Sequence, residues 1–333
     1  MKGFIKKIIL FSIPIILTIF IFISFTIIIH KPHVTDIIKI EESKVKLNRG
    51  NYIFNLFKNL ENKPNSFIFG GSRSQAIRAD SLTKKTKNTF NFFHFDSSSE
   101  NIKGIENKIN YLIKNNYKIK TCLIILDEGL LSRDDCNIPQ DYHLITQPYE
   151  LTKNIILYKQ YLLTFTNPRF LIGSIDYYLF NRYRNYMKRF FKEPGFNEKI
   201  NPETGDITYS AEFMIENDSL KYYTKMRKLG HFIQLEKDKN QYFYPKTIEI
   251  LNDIKKKLEH NEINYIVVLT PRYKKLGAST ESIKMLKDNK INFLDLSYLG
   301  KWNYEDGLWY ENSHFRRLKI GKHIENEIIK EIN

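Results

Sequence analysis

The sequence predicts an α/β protein of three layers, in which a mostly parallel five-stranded sheet lies between helices. Five short apolar segments have the composition of buried strands, at 66–70, 89–93, 121–126, 265–270 and 292–296. The segments between them carry apolar residues every three or four positions, which is the spacing of one helical face. Strands that alternate with helices favour a parallel sheet covered on both faces.

The predicted helices rest on spacing and on signals at their ends. Ile102, Ile105 and Ile109 share one helical face, and the serines at 97–99 are candidate caps for the start of that helix. Pro64 lies beyond the end of a short helix that precedes the first strand. The predicted helices cover 52–60, 102–113, 247–260 and 279–289, and a last one carries Ile320, Ile324, Ile328 and Ile332.

The stretch 128–246 does not follow this rhythm, and we interpret it as a large, mostly helical insertion between the third and fourth strands. Helices are predicted within it at 149–165 and 169–192. The segment 177–192 combines aromatic and basic residues and contains no acid. As a helix it would lie at a membrane interface or dock onto a membrane protein, or it would bury its aromatic face like an ordinary amphipathic helix.

The amino-terminal segment predicts a membrane anchor. Residues 8–29 contain no charged side chain, and this run is long enough for a helix that spans a bilayer. Three lysines precede it. A cleaved signal peptide is the alternative, but it would have a shorter apolar core and a small-residue cleavage site. We therefore expect a cytoplasmic tip and signal anchor at 1–30, a linker at 31–50 and an extracytoplasmic domain at 51–333, periplasmic or at the cell surface.

Composition limits the partners. The 333 residues carry a formal net charge of +15, which suits contact with anionic lipid head groups or acidic glycans. Nucleic acid is a poor candidate, because the domain is expected on the other side of the membrane. Cys122 and Cys136 are the only cysteines, too few for a disulfide framework or a thiolate metal site. We predict no metal and no cofactor.

The first segment with candidate chemistry is Gly70-Gly71-Ser72-Arg73, directly after the first strand. Ligands of open α/β sheets bind at the carboxyl ends of the strands, where Ser72 is placed. The glycines allow a tight turn, and a helix that begins near Arg73 would set backbone N–H groups near a developing oxyanion. The alternative is that Ser72 only caps that helix.

The second segment is Glu311-Asn-Ser-His314, just before the last helix. A neutral imidazole accepts a serine proton, and a carboxylate holds the required tautomer. The alternative is a surface histidine beside a solvated glutamate.

Together, the Gly-Gly-Ser block and the Glu-x-x-His block resemble those of the SGNH/GDSL hydrolase superfamily, which has Gly-Asp-Ser and Asp-x-x-His at these places. The likeness covers 66–127 and 265–330 in strand order and spacing. The closest branch is membrane-anchored and extracytoplasmic, and its members accompany membrane-bound O-acyltransferases that modify cell-surface polymers. The resemblance implies an SGNH/flavodoxin-like fold with Ser72 as nucleophile, His314 as base and Glu311 as orienting acid.

This chain departs from the family pattern at several positions. Gly71 and Glu311 replace aspartates, so Asp295 and Asp306 are alternative partners of His314. Asp127 stands where the family has an asparagine that stabilises the oxyanion, and a carboxylate there opposes negative charge. The remaining candidates for the oxyanion or the substrate are Gly71, Arg73, Asn91, Ser97 and Ser98. Arg73 would bind an anionic substrate or pair with Asp127.

The sequence thus predicts a membrane-anchored extracytoplasmic serine acyltransferase or esterase. It would act on acyl esters of a cell-surface polysaccharide or polymer, beside a multi-spanning membrane O-acyltransferase. The alternative is a binding or assembly protein that keeps the fold without its chemistry, and a third hypothesis is a structural exported protein.

Overall fold

A computed structural model describes residues 2–35, 45–46, 49–98, 100–127, 167–192, 194, 198–232 and 243–332. The chain divides into two compact units. One consists of Met1–Asn48 and Pro139–Phe196, and the other of Arg49–Ile138 and Asn197–Asn333. The second unit contains the sheet and both segments with candidate chemistry.

The strands of the described residues lie in the second unit. They are β1 Ser66–Gly70, β2 Phe92–His94, β3 Thr121–Leu126, β4 Glu198–Ile200, β5 Ile207–Tyr209, β6 Asn264–Leu269, β7 Phe293–Asp295, β8 Trp309–Glu311 and β9 His314–Phe315. The α-helices of this unit are α2 Arg49–Asn59, α3 Ala79–Lys85, α4 Ile102–Lys114, α6 Ser210–Asn217, α7 Ser219–Lys228, α8 Pro245–His260, α9 Thr280–Asp288 and α10 Lys322–Ile332, while α1 Lys2–Thr35 and α5 Pro168–Tyr178 belong to the first unit.

Five strands form one parallel sheet in the order β2-β1-β3-β6-β7, which confirms the predicted α/β class. In chain order of the sheet strands this is 2-1-3-4-5, one of the common doubly wound orders. The order reverses between β1 and β3. In such sheets the crevice outside the carboxyl ends of these two strands is the expected ligand site.

The sheet is covered on both faces. On one face, Ile68 of β1 belongs to a buried apolar cluster with Leu82 of α3 and Ile324 of α10. On the other face, the ring of Phe67 packs against Phe57 of α2 with their centroids 5.7 Å apart. Because successive residues of β1 serve opposite faces, the strand is apolar without alternation, as its sequence predicts.

The predicted insertion 128–246 does not form one body. Residues 128–166 lie outside the described residues, and with them the predicted helix 149–165 and Cys136. Pro139–Phe196 groups with the amino-terminal segment, whereas the part from Asn197 onwards belongs to the unit that contains the sheet. There β4 and β5 form an antiparallel hairpin, and α6 and α7 follow it.

The helix predicted at 169–192 is wrong in its second half. The helix α5 ends at Tyr178, because Asn181 adopts a φ of +51° and the N–H of Arg182 closes the end on the carbonyl of Asp176. Aromatic residues that follow pack inside the first unit, where the ring of Phe191 stacks on Phe170 with centroids 5.3 Å apart. This segment is therefore not the continuous aromatic and basic helix that the sequence predicts.

The amino-terminal segment predicted to be a signal anchor forms the helix α1. Among the residues that the structure describes, no helix combines the length and the apolar character required to cross a membrane.

One close backbone approach joins the two ends of the second unit. Gly321, at the start of the last helix, packs against the turn after β1 so tightly that an added Cβ would lie 2.2 Å from the carbonyl oxygen of Ala76. A backbone oxygen cannot move away cheaply, so this position has room for glycine alone. The contact sets the distance between the last helix and the segment that carries Ser72.

We expect Gly321→Ala to lower the free energy of unfolding by about 1–3 kcal/mol, the usual cost of overpacking a tight contact. Gly307→Ala is the matched control, because an added Cβ there meets no atom within 4 Å. Denaturant unfolding of both variants measures the difference. Equal stabilities would contradict the assigned constraint.

Candidate active site

Ser72 opens a short 3-10 helix, Ser72–Ala76, two residues after β1 ends. Gly70 is required for this turn, since a Cβ there would lie 2.8 Å from Ser74 Cβ and 2.9 Å from the carbonyl oxygen of Ile125. Gly71 differs, because its φ is −88° and its nearest neighbours would lie 3.9 Å from an added Cβ. Close backbone approach therefore explains the first glycine and not the second.

His314 and Glu311 reach this turn from a hairpin. The strands β8 and β9 pair antiparallel, and Glu311 lies opposite His314 in the register. His314 Nε2 lies 2.7 Å from Ser72 Oγ, and its Nδ1 contacts Glu311 Oε1 at hydrogen-bond distance. The structure thus brings together three side chains that the sequence separates by 242 positions at the farthest.

The direction of these hydrogen bonds follows from the groups involved. The carboxylate of Glu311 only accepts, so the proton of a neutral His314 ring lies on Nδ1. The lone pair of Nε2 then faces Ser72 Oγ, whose hydroxyl donates to it. This is the arrangement in which a histidine removes the proton of a serine nucleophile.

Ser313 fixes the carboxylate of Glu311 from two sides. Its N–H donates to Glu311 Oε2 at 2.8 Å, and its hydroxyl donates to Oε1 at 2.5 Å. The extra methylene of a glutamate is accommodated because the hairpin sets the backbone of residue 311 directly across from His314. The other candidate acids serve elsewhere, since Asp295 accepts from Ser297 and Asp306 from Arg227.

The surroundings of Glu311 favour its charged form. Burial alone would raise the pKa of this carboxyl, but the hydrogen bond and charge of His314, with the two hydrogen bonds from Ser313, lower it to about 2. Glu311 therefore stays ionised over the physiological pH range. A permanent negative charge beside Nδ1 stabilises the imidazolium that forms when His314 accepts a proton.

Arg73 joins the site to the end of β3. Its Nη1 lies 3.2 Å from Asp127 Oδ1, and its Nε–H donates to the carbonyl oxygen of Ser313. Arg73 is 9% exposed and the Asp127 side chain 13%, so the ion pair is largely removed from water. The guanidinium neutralises the carboxylate that the sequence places beside the expected oxyanion.

The other oxyanion candidates have hydrogen-bond partners of their own. Asn91 lies at the amino end of the sheet, where its carbonyl accepts the N–H of Ser66 at 3.1 Å, because β2 begins only at Phe92. Ser97 is fully buried, and its hydroxyl accepts from Lys108 at 2.7 Å. The hydroxyl of Ser98 accepts from Arg49 Nη1 at 3.3 Å. The backbone N–H of Ser72 is a donor next to the nucleophile, and no side chain caps the end of the 3-10 helix to which it belongs.

The hairpin of His314 is supported by residues that sequence reasoning missed. Tyr222 and Tyr223 of α7 donate their hydroxyls to the carbonyls of Tyr310 and Trp309, at 3.1 and 3.0 Å. The backbone carbonyl of His231 accepts the N–H of Asn312. The pair of adjacent tyrosines in a polar segment is visible in the sequence. Nothing in the sequence indicates that the pair contacts the hairpin.

No group of three or more histidine, cysteine, aspartate or glutamate residues in the described ranges could hold a metal ion. Cys122 is fully buried in β3, and burial raises the pKa of its thiol.

We expect Glu311→Gln to make the free energy of unfolding depend less on pH below about pH 4.5. The pKa of Glu311 is lowered from 4.5 to about 2, so its contribution to stability is complete above pH 4.5 and is lost as the pH falls towards 2. The wild-type curve should be steeper than that of the variant in this window, by at most about 1.4 kcal/mol per pH unit, the value for one proton. Denaturant unfolding at several pH values, with the exposed Glu305→Gln as control, measures the slopes, and parallel curves would contradict the expectation.

Comparison with known proteins finds no matching family model, no matching curated protein and no matching solved structure. The roles of Ser72, His314 and Glu311 therefore depend on their contacts.

Proposed function

We propose that this protein is a serine acyltransferase or esterase that acts outside the cytoplasm on acyl esters of a cell-surface glycan or polymer. The observation that carries the proposal is the 2.7 Å contact between Ser72 Oγ and His314 Nε2, with Glu311 behind the ring. A capping serine needs no histidine, and a surface histidine needs no buried carboxylate. The three side chains together are the minimal apparatus for nucleophilic acyl transfer.

The reaction balances with these groups alone. His314 accepts the hydroxyl proton while Ser72 Oγ bonds to the acyl carbon, and the carbonyl electrons move to the oxygen of a tetrahedral intermediate. Collapse of the intermediate breaks the bond to the alcohol, which leaves with the proton from His314. The acyl-serine is then attacked by a glycan hydroxyl or by water, with His314 again as the base.

The developing oxyanion requires a hydrogen-bond donor, and Asp127 stands directly after β3 where the family pattern has an asparagine. Ser72 is the first residue of its 3-10 helix, so the turn itself does not use its N–H, and no side chain caps that end. The pairing of Asp127 with Arg73 removes the main electrostatic objection to negative charge here. A five-residue 3-10 helix has little dipole, so the backbone N–H of Ser72 itself stabilises the oxyanion.

The substrate class and the location rest on the sequence. The uncharged run 8–29 after three lysines is the reason to expect the domain outside the cytoplasm. The resemblance to the extracytoplasmic SGNH/GDSL branch favours a surface polymer as acceptor and a multi-spanning O-acyltransferase as partner. The alternative, an inactive binding or assembly protein, is motivated by the missing asparagine block and by Asp127. The pairing of Asp127 with Arg73 answers the second point.

We expect Ser72→Ala to abolish covalent labelling of the full chain by a fluorophosphonate probe. Turnover of an acetyl ester should fall by roughly 10⁴-fold or more, as for other members of such triads. His314→Ala should lower both to a similar extent, because the two residues act as one unit. Mass spectrometry of the labelled peptide and a p-nitrophenyl acetate assay measure these effects.

Ser219→Ala is the matched control, since this serine is exposed at the start of α7. Labelling and turnover of the control should equal those of the wild type. A wild-type protein that folds but takes up no probe, or a Ser72→Ala protein that keeps ester turnover, would reject the enzyme and favour the binding protein.

A further inference from the structure

A second chain of serine, histidine and carboxylate lies buried directly beneath the turn that carries Ser72. Ser74 Oγ contacts His94 Nε2 at 3.0 Å, and His94 Nδ1 lies 3.4 Å from Asp206 Oδ1. Ser74 and His94 are fully buried and Asp206 is 4% exposed. A substrate cannot reach this serine, so the group is no second nucleophilic site.

The hydrogen bond between serine and histidine in this group has the opposite donor direction from the one between Ser72 and His314. Ser74 Oγ lies 2.7 Å from the carbonyl oxygen of Gly71, and a carbonyl only accepts, so the hydroxyl donates to it. Ser74 Oγ must then accept from His94 Nε2, which carries a proton. The carboxylate of Asp206 also only accepts, so the Nδ1 that faces it at 3.4 Å carries a proton as well, and His94 donates from both ring nitrogens. The negative charge of Asp206 beside the ring strengthens this donor. The chain therefore ends on the oxygen of one peptide group.

That peptide group joins Gly71 to Ser72. The N–H of Ser74 also donates to the Gly71 oxygen, at 3.1 Å, so the carbonyl has two donors from one residue. A peptide bond is planar and trans, so fixing the carbonyl on one side fixes the N–H of the next residue on the opposite side. The next N–H is that of Ser72, the donor available for the oxyanion.

The acid end of the chain is itself rigidly held. Asp206 accepts the N–H groups of Ala79 and Asp80 at the start of α3, at 2.8 and 3.0 Å. Burial raises the pKa of Asp206, but the contact with His94 and these two hydrogen bonds lower it below its ordinary value. Gly205, with a φ of +71°, brings its own backbone so close to the carbonyl of His94 that an added Cβ would lie 2.6 Å from that oxygen.

We propose that Asp206, His94 and Ser74 are positioning residues, which hold the Gly71–Ser72 peptide so that the Ser72 N–H points at the reacting carbonyl oxygen. The inference rests on the proposed acyl transfer, and it assigns a reason for a buried histidine that the catalytic triad does not use. Hydrogen bonds to the Gly71 oxygen also polarise the peptide, which makes its N–H a stronger donor. The benefit appears only when charge develops on the substrate oxygen, so it lowers the barrier without tightening substrate binding.

The test compares Ser74→Ala, His94→Gln and His94→Ala in the full chain, with p-nitrophenyl acetate as the substrate. Ser74→Ala should lower kcat by roughly 10–100-fold and leave KM within about twofold, since loss of a whole oxyanion donor costs about 10²–10³. His94→Gln, whose amide nitrogen takes the place of Nε2, should retain most of the activity that His94→Ala loses. The double variant Ser74→Ala/His94→Ala should be no slower than the slower single variant, because both act through one hydrogen bond.

Two results would overturn the inference and leave the proposed function standing. One is a folded Ser74→Ala protein that keeps the kcat of the wild type, while Ser72→Ala abolishes labelling. The other result comes from ¹⁵N NMR of the histidine rings in the wild-type chain, which requires no activity measurement. The signal lost in His94→Gln identifies the His94 ring, and its Nε2 should be protonated. An unprotonated Nε2 at that ring would mean that the chain does not donate towards Gly71.

Discussion

The site depends on one contact between distant parts of the chain, the hydrogen bond between Ser72 and His314. Two further contacts hold the same pair of segments at this separation. Arg73 donates to the carbonyl of Ser313, and Gly321 allows the last helix to lie against the carbonyl of Ala76. All three contacts join the 3-10 helix after β1 to the carboxyl-terminal part of the chain, two of them at the hairpin and one at the start of the last helix. The candidate nucleophile therefore meets its base only after the sheet and the last helix have packed together.

Charge compensation is the second constraint at this edge of the sheet. Glu311 stays ionised because the hydrogen bonds from His314 and Ser313, with the charge of His314, lower its pKa by more than burial raises it. Asp127 is held by Arg73 at 3.2 Å, which makes a carboxylate at the end of β3 compatible with an anionic intermediate nearby. The site thus combines two buried negative charges, one that stabilises the imidazolium and one that is neutralised by the residue next to the nucleophile.

The sheet, and the position of Ser72 just beyond the carboxyl end of β1, could be predicted because their sequence signals are local. Buried strands of a parallel sheet are continuous apolar runs, and a serine directly after such a run lies at the carboxyl edge. The choice of Glu311 over Asp295 and Asp306 could not be made in this way. It depends on the pairing of β8 with β9, and strands of three and two residues are too short to carry a recognisable pattern. Asn91 lies before the second strand because that strand begins at Phe92, three residues later than its apolar run predicts.

The chain holds two arrangements of serine, histidine and carboxylate, and their sequences do not tell them apart. The two arrangements differ in the burial of their side chains and in the donor direction of the hydrogen bond between serine and histidine. His314 is 35% exposed in its side chain, and its Nε2 accepts from Ser72, so the serine can lose its proton to a substrate-accessible base. His94 is fully buried, and its Nε2 donates to Ser74, whose own proton is committed to a backbone carbonyl. The same three functional groups, a hydroxyl, an imidazole and a carboxylate, therefore activate a nucleophile in one place and orient a peptide in the other. The group that accepts the serine proton decides which.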